Sequence, residues 1–488
     1  MPLSDYLKGR LPERNTTIPH AQTSQEASSQ NPNNDTQATN RFLNNTEKTE
    51  LEALYSTLTR SVQDLLKLDK DVENIKGRDI RNKNLRMKIT RILDQVINEK
   101  KIVIPRNSKQ ILLEMVINNI LGFGPLEPLL ADDNISEIMI TGIDMIYVER
   151  KGKLEEVNLH FDSEDQLLQI IENIVAPIGR HIDASSPLVD ARLPDGSRVN
   201  AIIPPLAPKG PTVTIRKFAK TALSVRDLLG FGSLTQDMVD FIEACVRGKL
   251  NVIVSGGTGS GKTTTLNILS AIIPDNERII TVEDAAELQL QQEHVVSMET
   301  RPANVEGKGQ IVIRDLVANA LRMRPDRIIV GECRGGEALD MLQVMNTGND
   351  GSMTTLHANN PKECIARLES LALMSGVELP SRAIREQISS AVQLIVHQSR
   401  LRDGSRKITS ISEVIKTEDG EPIINPIFEF RMYGYDEEKG KVKGRHVATG
   451  NKPYYLQRLR EYGENVDESL FVEPEDPEWE KIKKEGML

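Results

Sequence analysis

Eight residues in mid-chain carry the strongest chemical signal: Gly256-Gly257-Thr258-Gly259-Ser260-Gly261-Lys262-Thr263. They satisfy the spacing G-x-x-x-x-G-K-[ST] between an apolar run, NVIVS, and a helix-forming run that starts at Thr264. Glycines let the backbone curl until successive N–H groups face an anion, and the helix start adds partial positive charge. Lys262 is then expected to reach the β- and γ-phosphates of ATP, and the Thr263 hydroxyl to ligate Mg²⁺.

Three further short apolar runs end in polar residues suited to the same chemistry. Residues 323–332 (MRPDRIIVGE) place Glu332 at the carboxyl end of what reads as a neighbouring strand, facing the same crevice. There Glu332 would hold Mg²⁺ through water or polarise an attacking water, unless it only caps the next helix. Residues 279–284 (IITVED) repeat the pattern with Glu283, although Asp284 suits a capping role. Residues 351–357 (GSMTTLH) end in His357, a candidate hydrogen-bond partner of the γ-phosphate or a purely structural histidine. Charge on a transferring phosphoryl group also calls for arginine. Candidates are Arg192, Arg198 and Arg216 upstream, and Arg301, Arg314, Arg322 and Arg324 downstream. Most arginines are solvated surface charges; Arg216, on an apolar strand just before a linker, is the best placed.

The elements that must position these groups follow from periodicity. Alternating strand and helix patterns after residue 220 (strands near 250–255, 279–282, 327–330 and 352–356) predict an α/β domain with a mostly parallel sheet. Strands and turns follow from 401, including 408–415 and 423–430. Upstream, runs at 135–142, 144–152, 153–161, 197–205 and 211–218 read as strands around a helix at 165–176. This predicts an α+β domain over 126–220. Leucine and isoleucine at helical spacing predict a helical module over 49–125. The polar, Asn/Gln/Ser/Thr-rich segment 1–48 reads as a disordered leader. The engine domain with its C-terminal extension spans 221–463, and 464–488 reads as an acidic, frayed tail.

Composition bounds the function. The 488 residues carry 61 Lys+Arg against 71 Asp+Glu, a net charge of -10. That balance and 4% aromatic content disfavour a nucleic-acid translocase. Cys245, Cys333 and Cys364 are too few for a disulfide framework or a Cys₄ zinc site, and a reducing compartment fits. No apolar stretch approaches the ~18 residues of a membrane span.

Taken together, these residues resemble the secretion-ATPase superfamily that powers type II secretion, type IV pili and type IV secretion. The resemblance rests on four boxes in order: Walker A (256–263), an acidic box (279–287), Walker B (323–334) and a His box (347–357). Longer stretches are similar to the Tad/Flp pilus assembly ATPases, among them LGFGPLEPLLADDNISEIMITG (121–142), SSPLVDARLPDGSRVNAIIPP (185–205) and RDLVANALRMRPDRIIVGECRGGEALDMLQ (314–343). The likeness covers about 51–463. It implies a homohexameric ring of RecA-like P-loop domains, each preceded by an α+β, PAS-like nucleotide-clamping domain, with ATP and Mg²⁺ bound between them. It assigns Lys262 and Thr263 to Walker A, Glu332 to Walker B, Glu283 to the acidic box and His357 to the His box. Arg198 and Arg216 resemble the arginines that reach the phosphates.

The resemblance also implies a cytoplasmic protein, peripheral at the inner membrane and acting through a membrane platform partner. Two features depart from the pattern. Asn349 stands where many relatives have a second histidine, and there is no four-cysteine zinc module, which favours the Tad branch. The expected function is an ATP-hydrolysing motor for pilus assembly or secretion, with a linker over 220–227 letting the domains separate. The alternatives are a type IV secretion traffic ATPase and a slow nucleotide-dependent binding switch.

Overall fold

A computed structural model describes residues 83–102, 104, 106–150, 152–218, 222–303 and 308–484, together with 58–59, 61–62 and 65. The leader expected over 1–48 lies outside the described residues. The chain forms two compact units, Met1–Lys220 and Thr221–Leu488.

In the first unit, helices α1 (Lys83–Glu99) and α2 (Arg106–Leu121) bury one apolar face each. Leu85, Ile89, Leu93 and Val96 recur every three to four residues, so they share one side of α1. They meet Leu112, Val116 and Ile120 of α2, with Leu58 and Val62, in a core of their own.

A six-stranded antiparallel sheet follows. Its strands are β1 (Ile135–Thr141), β2 (Met145–Arg150), β3 (Lys153–Glu156), β4 (Leu188–Arg192), β5 (Arg198–Ile202) and β6 (Thr212–Arg216), in the order β3-β2-β1-β6-β5-β4. Period-2 alternation puts Ile138, Ile140, Val148, Val199, Ala201, Val213 and Ile215 on one face. Helix α3 (Glu164–Val175) covers them with Leu167, Ile170, Ile171 and Ile174, its start capped by the Ser163 side chain. The strand expected over 153–161 stops at Glu156. Its pairing with β2 ends one bond later, from the Val157 N–H to the Ile146 carbonyl, although Val157, Leu159 and Phe161 still turn inward. Edge strand β4 gave no sequence signal, its only buried residue being Val189.

In the second unit one nine-stranded sheet carries the site. It contains β7 (Val252–Gly256), β8 (Ile279–Glu283), β9 (Val295–Glu299), β10 (Arg327–Val330), β11 (Met353–His357), β12 (Leu394–Arg400), β13 (Arg406–Lys416), β14 (Pro422–Asp436) and β15 (Lys441–Ala448), in the order β15-β14-β13-β12-β7-β11-β10-β8-β9. The six strands from β12 to β9 run parallel and the other three antiparallel. All residues of β7, β8 and β10 are buried, as a sheet covered on both faces requires. On one face lie helix α4 (Gln236–Arg247) and α5 (Lys262–Ser270); on the other lie α6 (Glu337–Asn346), α7 (Pro361–Leu373) and α8 (Ser381–Ala391). The order β12-β7-β11-β10-β8 is RecA-like: β11 is inserted between the phosphate-loop strand and β10. Glu332 therefore does not follow a strand neighbouring β7, as the sequence suggested, but one lying two places away.

Two more expectations need correction. The segment 220–227 is not all linker: the Ser224 and Asp227 side chains form a capping box, and the helix Val225–Gly230 starts inside it. Nor is the acidic tail frayed through its described part. Phe471 is buried against Phe241 and Phe428, with ring centroids 5.3 and 6.0 Å apart. Arg431, its side chain only 3% exposed, takes Glu429, Glu473 and Asp476 as partners, and the helix Pro477–Lys484 follows. The tail's acids are held by an arginine some forty residues upstream.

Candidate functional site

The phosphate loop leaves the end of β7 at Gly256 with backbone close on one side. A Cβ there would stand 2.1 Å from the Gln398 carbonyl oxygen of β12, so only glycine fits. Gly261, at φ 98°, turns the chain into α5, and no side chain caps that helix start. An uncapped helix start behind a glycine-rich curl suits an anion. Lys262 is 8% exposed; its Nζ donates to the Gly257 carbonyl at 3.1 Å and lies 3.3 Å from His357 Nε2.

His357 stands opposite Gly256 in the parallel ladder, which fixes its place beside the loop. Its Nε2 is also 2.7 Å from Glu332 Oε1, while Arg334 Nε and Nη2 donate to Glu332 Oε2 at 2.8 and 2.6 Å. Lys262, His357 and Glu332 thus form one continuous array across three adjacent strand ends. Burial, and then the nearby Lys262 ammonium, hold the His357 imidazole below its ordinary pKa against the pull of Glu332. The neutral form that this favours carries both a donor and an acceptor.

Glu283 is 3% exposed, and its Oε1 accepts from the backbone N–H groups of Glu287 and Leu288 at 3.0 and 3.1 Å. A Cβ at Gly331 would stand 2.9 Å from Glu283 Cγ, so the glycine lets Glu283 lie against the turn leading to Glu332. Among the described residues no group of three or more His, Cys, Asp or Glu is placed to hold a metal ion. Thr263, the second residue of α5, and Glu332, just past the end of β10, are the residues expected from the sequence to hold a Mg²⁺.

Arg192, Arg198 and Arg216 come together in the first unit, directly opposite one another across β4, β5 and β6. Glu137 of β1 continues the row beyond Arg216, at 3.9 Å. The downstream candidates are placed differently. Arg314 is engaged by Asp340 at 3.0 Å and the Ser375 carbonyl at 2.9 Å, and Arg301 donates to the Gly309 carbonyl. Arg322 and Arg324 are exposed and precede β10, at the opposite end of that strand from Glu332. Asn349 donates to the Pro325 carbonyl, a structural bond at that same end.

Four residues at the site went unnoticed in the sequence. Arg334 is one. The others sit on β12 and β13: Gln398 Oε1 accepts from the Thr265 hydroxyl at 2.5 Å, Arg406 Nε donates to the Gly259 carbonyl at 3.0 Å, and Arg400 lies beside Gly259. For Gln398 and Arg400 the signal that could have found them is the apolar run 394–396 ahead of HQSR, another strand ending in polar residues.

Fold and loop define a RecA-like P-loop protein. The family model described as type II/IV secretion system protein matches residues 119–441, and the chain belongs to that family. A Mycobacterium tuberculosis (strain H37Rv) protein named for conjugal transfer is 35% identical over 312 residues, 63% of this chain and 88% of the relative. The type IV secretion system protein VirB11 of Bartonella henselae is 30% identical over 326 residues, 59% of this chain and 90% of the relative. The crystal structure of the VirB11 ATPase from the Brucella suis type IV secretion system is 29% identical, covering 59% of this chain and 91% of that one, with a TM-score of 0.33. Among the described residues no helix is long and apolar enough to cross a membrane.

Proposed function

We propose that this chain binds ATP at residues 256–264 and hydrolyses it to drive a pilus-assembly or secretion machine. The observation that carries the reading is the array Lys262–His357–Glu332 beside an uncapped, glycine-bounded helix start. Lys262 and the loop amides of Gly257, Thr258, Gly259, Ser260 and Gly261 hold the phosphates. Thr263 and Glu332 hold the Mg²⁺ that rides with the nucleotide and offsets charge on the phosphates. Glu332 orients and activates water. His357, neutral and shared between Lys262 and Glu332, hydrogen-bonds the γ-phosphate and loses that contact on cleavage. Glu283 buttresses the turn beside Glu332, and Arg198 and Arg216 supply positive charge to the phosphates. Release of the γ-phosphate then removes the contact made by His357, a small ligand change of the kind that is converted into displacement.

The working form is a homohexamer at the cytoplasmic face of the inner membrane, acting through a platform protein. The motif-level likeness favours a Tad/Flp pilus. The relatives named for VirB11 and conjugal transfer favour a type IV secretion traffic ATPase equally. Phosphate release from ATP by the wild-type protein and by Glu332→Gln tests the chemistry: the variant should bind ATP but lose about a hundredfold in turnover. Wild-type turnover in that variant sinks the assigned role, and no multiple turnover in the wild type leaves the binding switch. A deletion strain that keeps its surface pili but no longer exports substrate would decide for secretion.

A further inference from the structure

Strand β7 is flanked on both sides at the point where it becomes the phosphate loop. Leu356 and His357 of β11 stand opposite Ser255 and Gly256; on the other side stand His397 and Gln398 of β12. The ladder between β7 and β11 ends with the His357–Gly256 pair, after which both chains leave the sheet. Beyond that pair, side chains must keep the loop and the segment behind His357 in step.

His397 occupies that position. It is 3% exposed, and its Nδ1 lies 2.8 Å from the Ser255 hydroxyl. Its ring also lies within hydrogen-bonding reach of the backbone at Asn359, two residues past His357, where α7 is capped by the Asn360 side chain. The Cys364 thiol, on the first turn of α7, reaches the same Ser255 hydroxyl. A carbonyl only accepts, so the ring nitrogen toward Asn359 carries the hydrogen and Nδ1 accepts from Ser255. The two bonds then run in one direction: Ser255 hydroxyl to Nδ1, and ring N–H to carbonyl. Burial, aided by Lys262, holds His397 below its ordinary pKa, which keeps it in the neutral form that this chain of bonds needs.

We propose that His397 is a positioning residue that ties the entry of the phosphate loop, through Ser255, to the segment behind His357, through the Asn359 backbone. The groups that hold the β-phosphate and those that read the γ-phosphate are thereby kept at one separation by a buried imidazole. The inference rests on the ATPase reading above. It has a distinctive signature: ADP, which lacks the γ-phosphate, should scarcely sense the tie, whereas turnover should depend on it.

The test uses the full chain. Wild-type hydrolysis and ADP binding are measured first, and failure there refutes the ATPase reading rather than this one. His397→Leu, which keeps bulk but no hydrogen bond, should lose about tenfold in kcat while ADP affinity stays within about twofold. His397→Gln restores a donor and an acceptor and should return kcat to within about threefold of wild type. Ser255→Ala should lower kcat in the same direction, and adding it to His397→Leu should cost nothing more. The proposal is overturned if His397→Leu stays within twofold of wild-type kcat, if ADP affinity falls in parallel with kcat, or if the glutamine variant does no better than leucine. Should His397→Leu not fold, Ser255→Ala decides alone, with unchanged kcat counting against the tie.

Discussion

The two sheets of the described residues each present cations at one end, and build them in opposite ways. In the second unit a single lysine, 8% exposed, is placed by eight contiguous residues and held by Gly257 and His357. In the first unit Arg192, Arg198 and Arg216 meet only because three strands pair in one register, and the Arg216 side chain is 59% exposed. A contiguous motif carries its geometry with it. A row made by register does not: a one-residue slip would turn every arginine to the other face. Like charges directly opposite in a sheet also repel, so the row costs stability that its function must justify.

The contrast can be broken or sharpened by substitution. Lys262→Ala should have the largest effect, at least about a hundredfold in ATP turnover with the fold intact by thermal melting. Retained turnover would mean that the buried lysine is structural. Arg198→Ala and Arg216→Ala should each cost about tenfold in kcat/KM, with ADP affinity little changed. An effect of that size confined to Arg216 would show that the row does not act as a unit. Arg431→Met should act on stability instead. It leaves the half-exposed Glu429 and Glu473 without their arginine, while Asp476 keeps Arg445 and Tyr433, and should cost about 1–2 kcal/mol in denaturant unfolding, with kcat of the folded protein unchanged. Arg314→Ala should be the mildest, within about twofold in turnover, because Asp340 and Ser375 already engage that side chain. A larger effect than at Arg216 would reassign the arginine role.

The parts that read directly from sequence are those in which chemistry and backbone share one stretch of chain. The phosphate loop, Glu332 and His357 are of this kind, since a short apolar strand ending in a polar residue is a local pattern. The insertion of β11 between β7 and β10 is not local, and neither is the Arg192–Arg198–Arg216 row, which exists only through pairing across three strands. Strand β12 escaped notice because HQSR follows a brief apolar run and reads as a polar loop, hiding His397 and Gln398. The tail was misread for the same reason: its acids look solvated until Arg431, on a distant strand, is brought against them.

That strapped tail bears on how the chain behaves at high concentration. Strands β15 and β14 form one flank of the nine-stranded sheet, and an uncovered apolar patch there would invite association with other chains. Here Arg445 of β15 reaches the Glu475 carbonyl and the Asp476 carboxylate, and Arg431 of β14 reaches Glu473, so the tail is strapped across one face of these two strands. A chain cut at residue 464 would keep its phosphate loop and yet bare the Phe241 and Phe428 rings and the Arg431 side chain. Polymerisation, rather than lost chemistry, would then be its first defect.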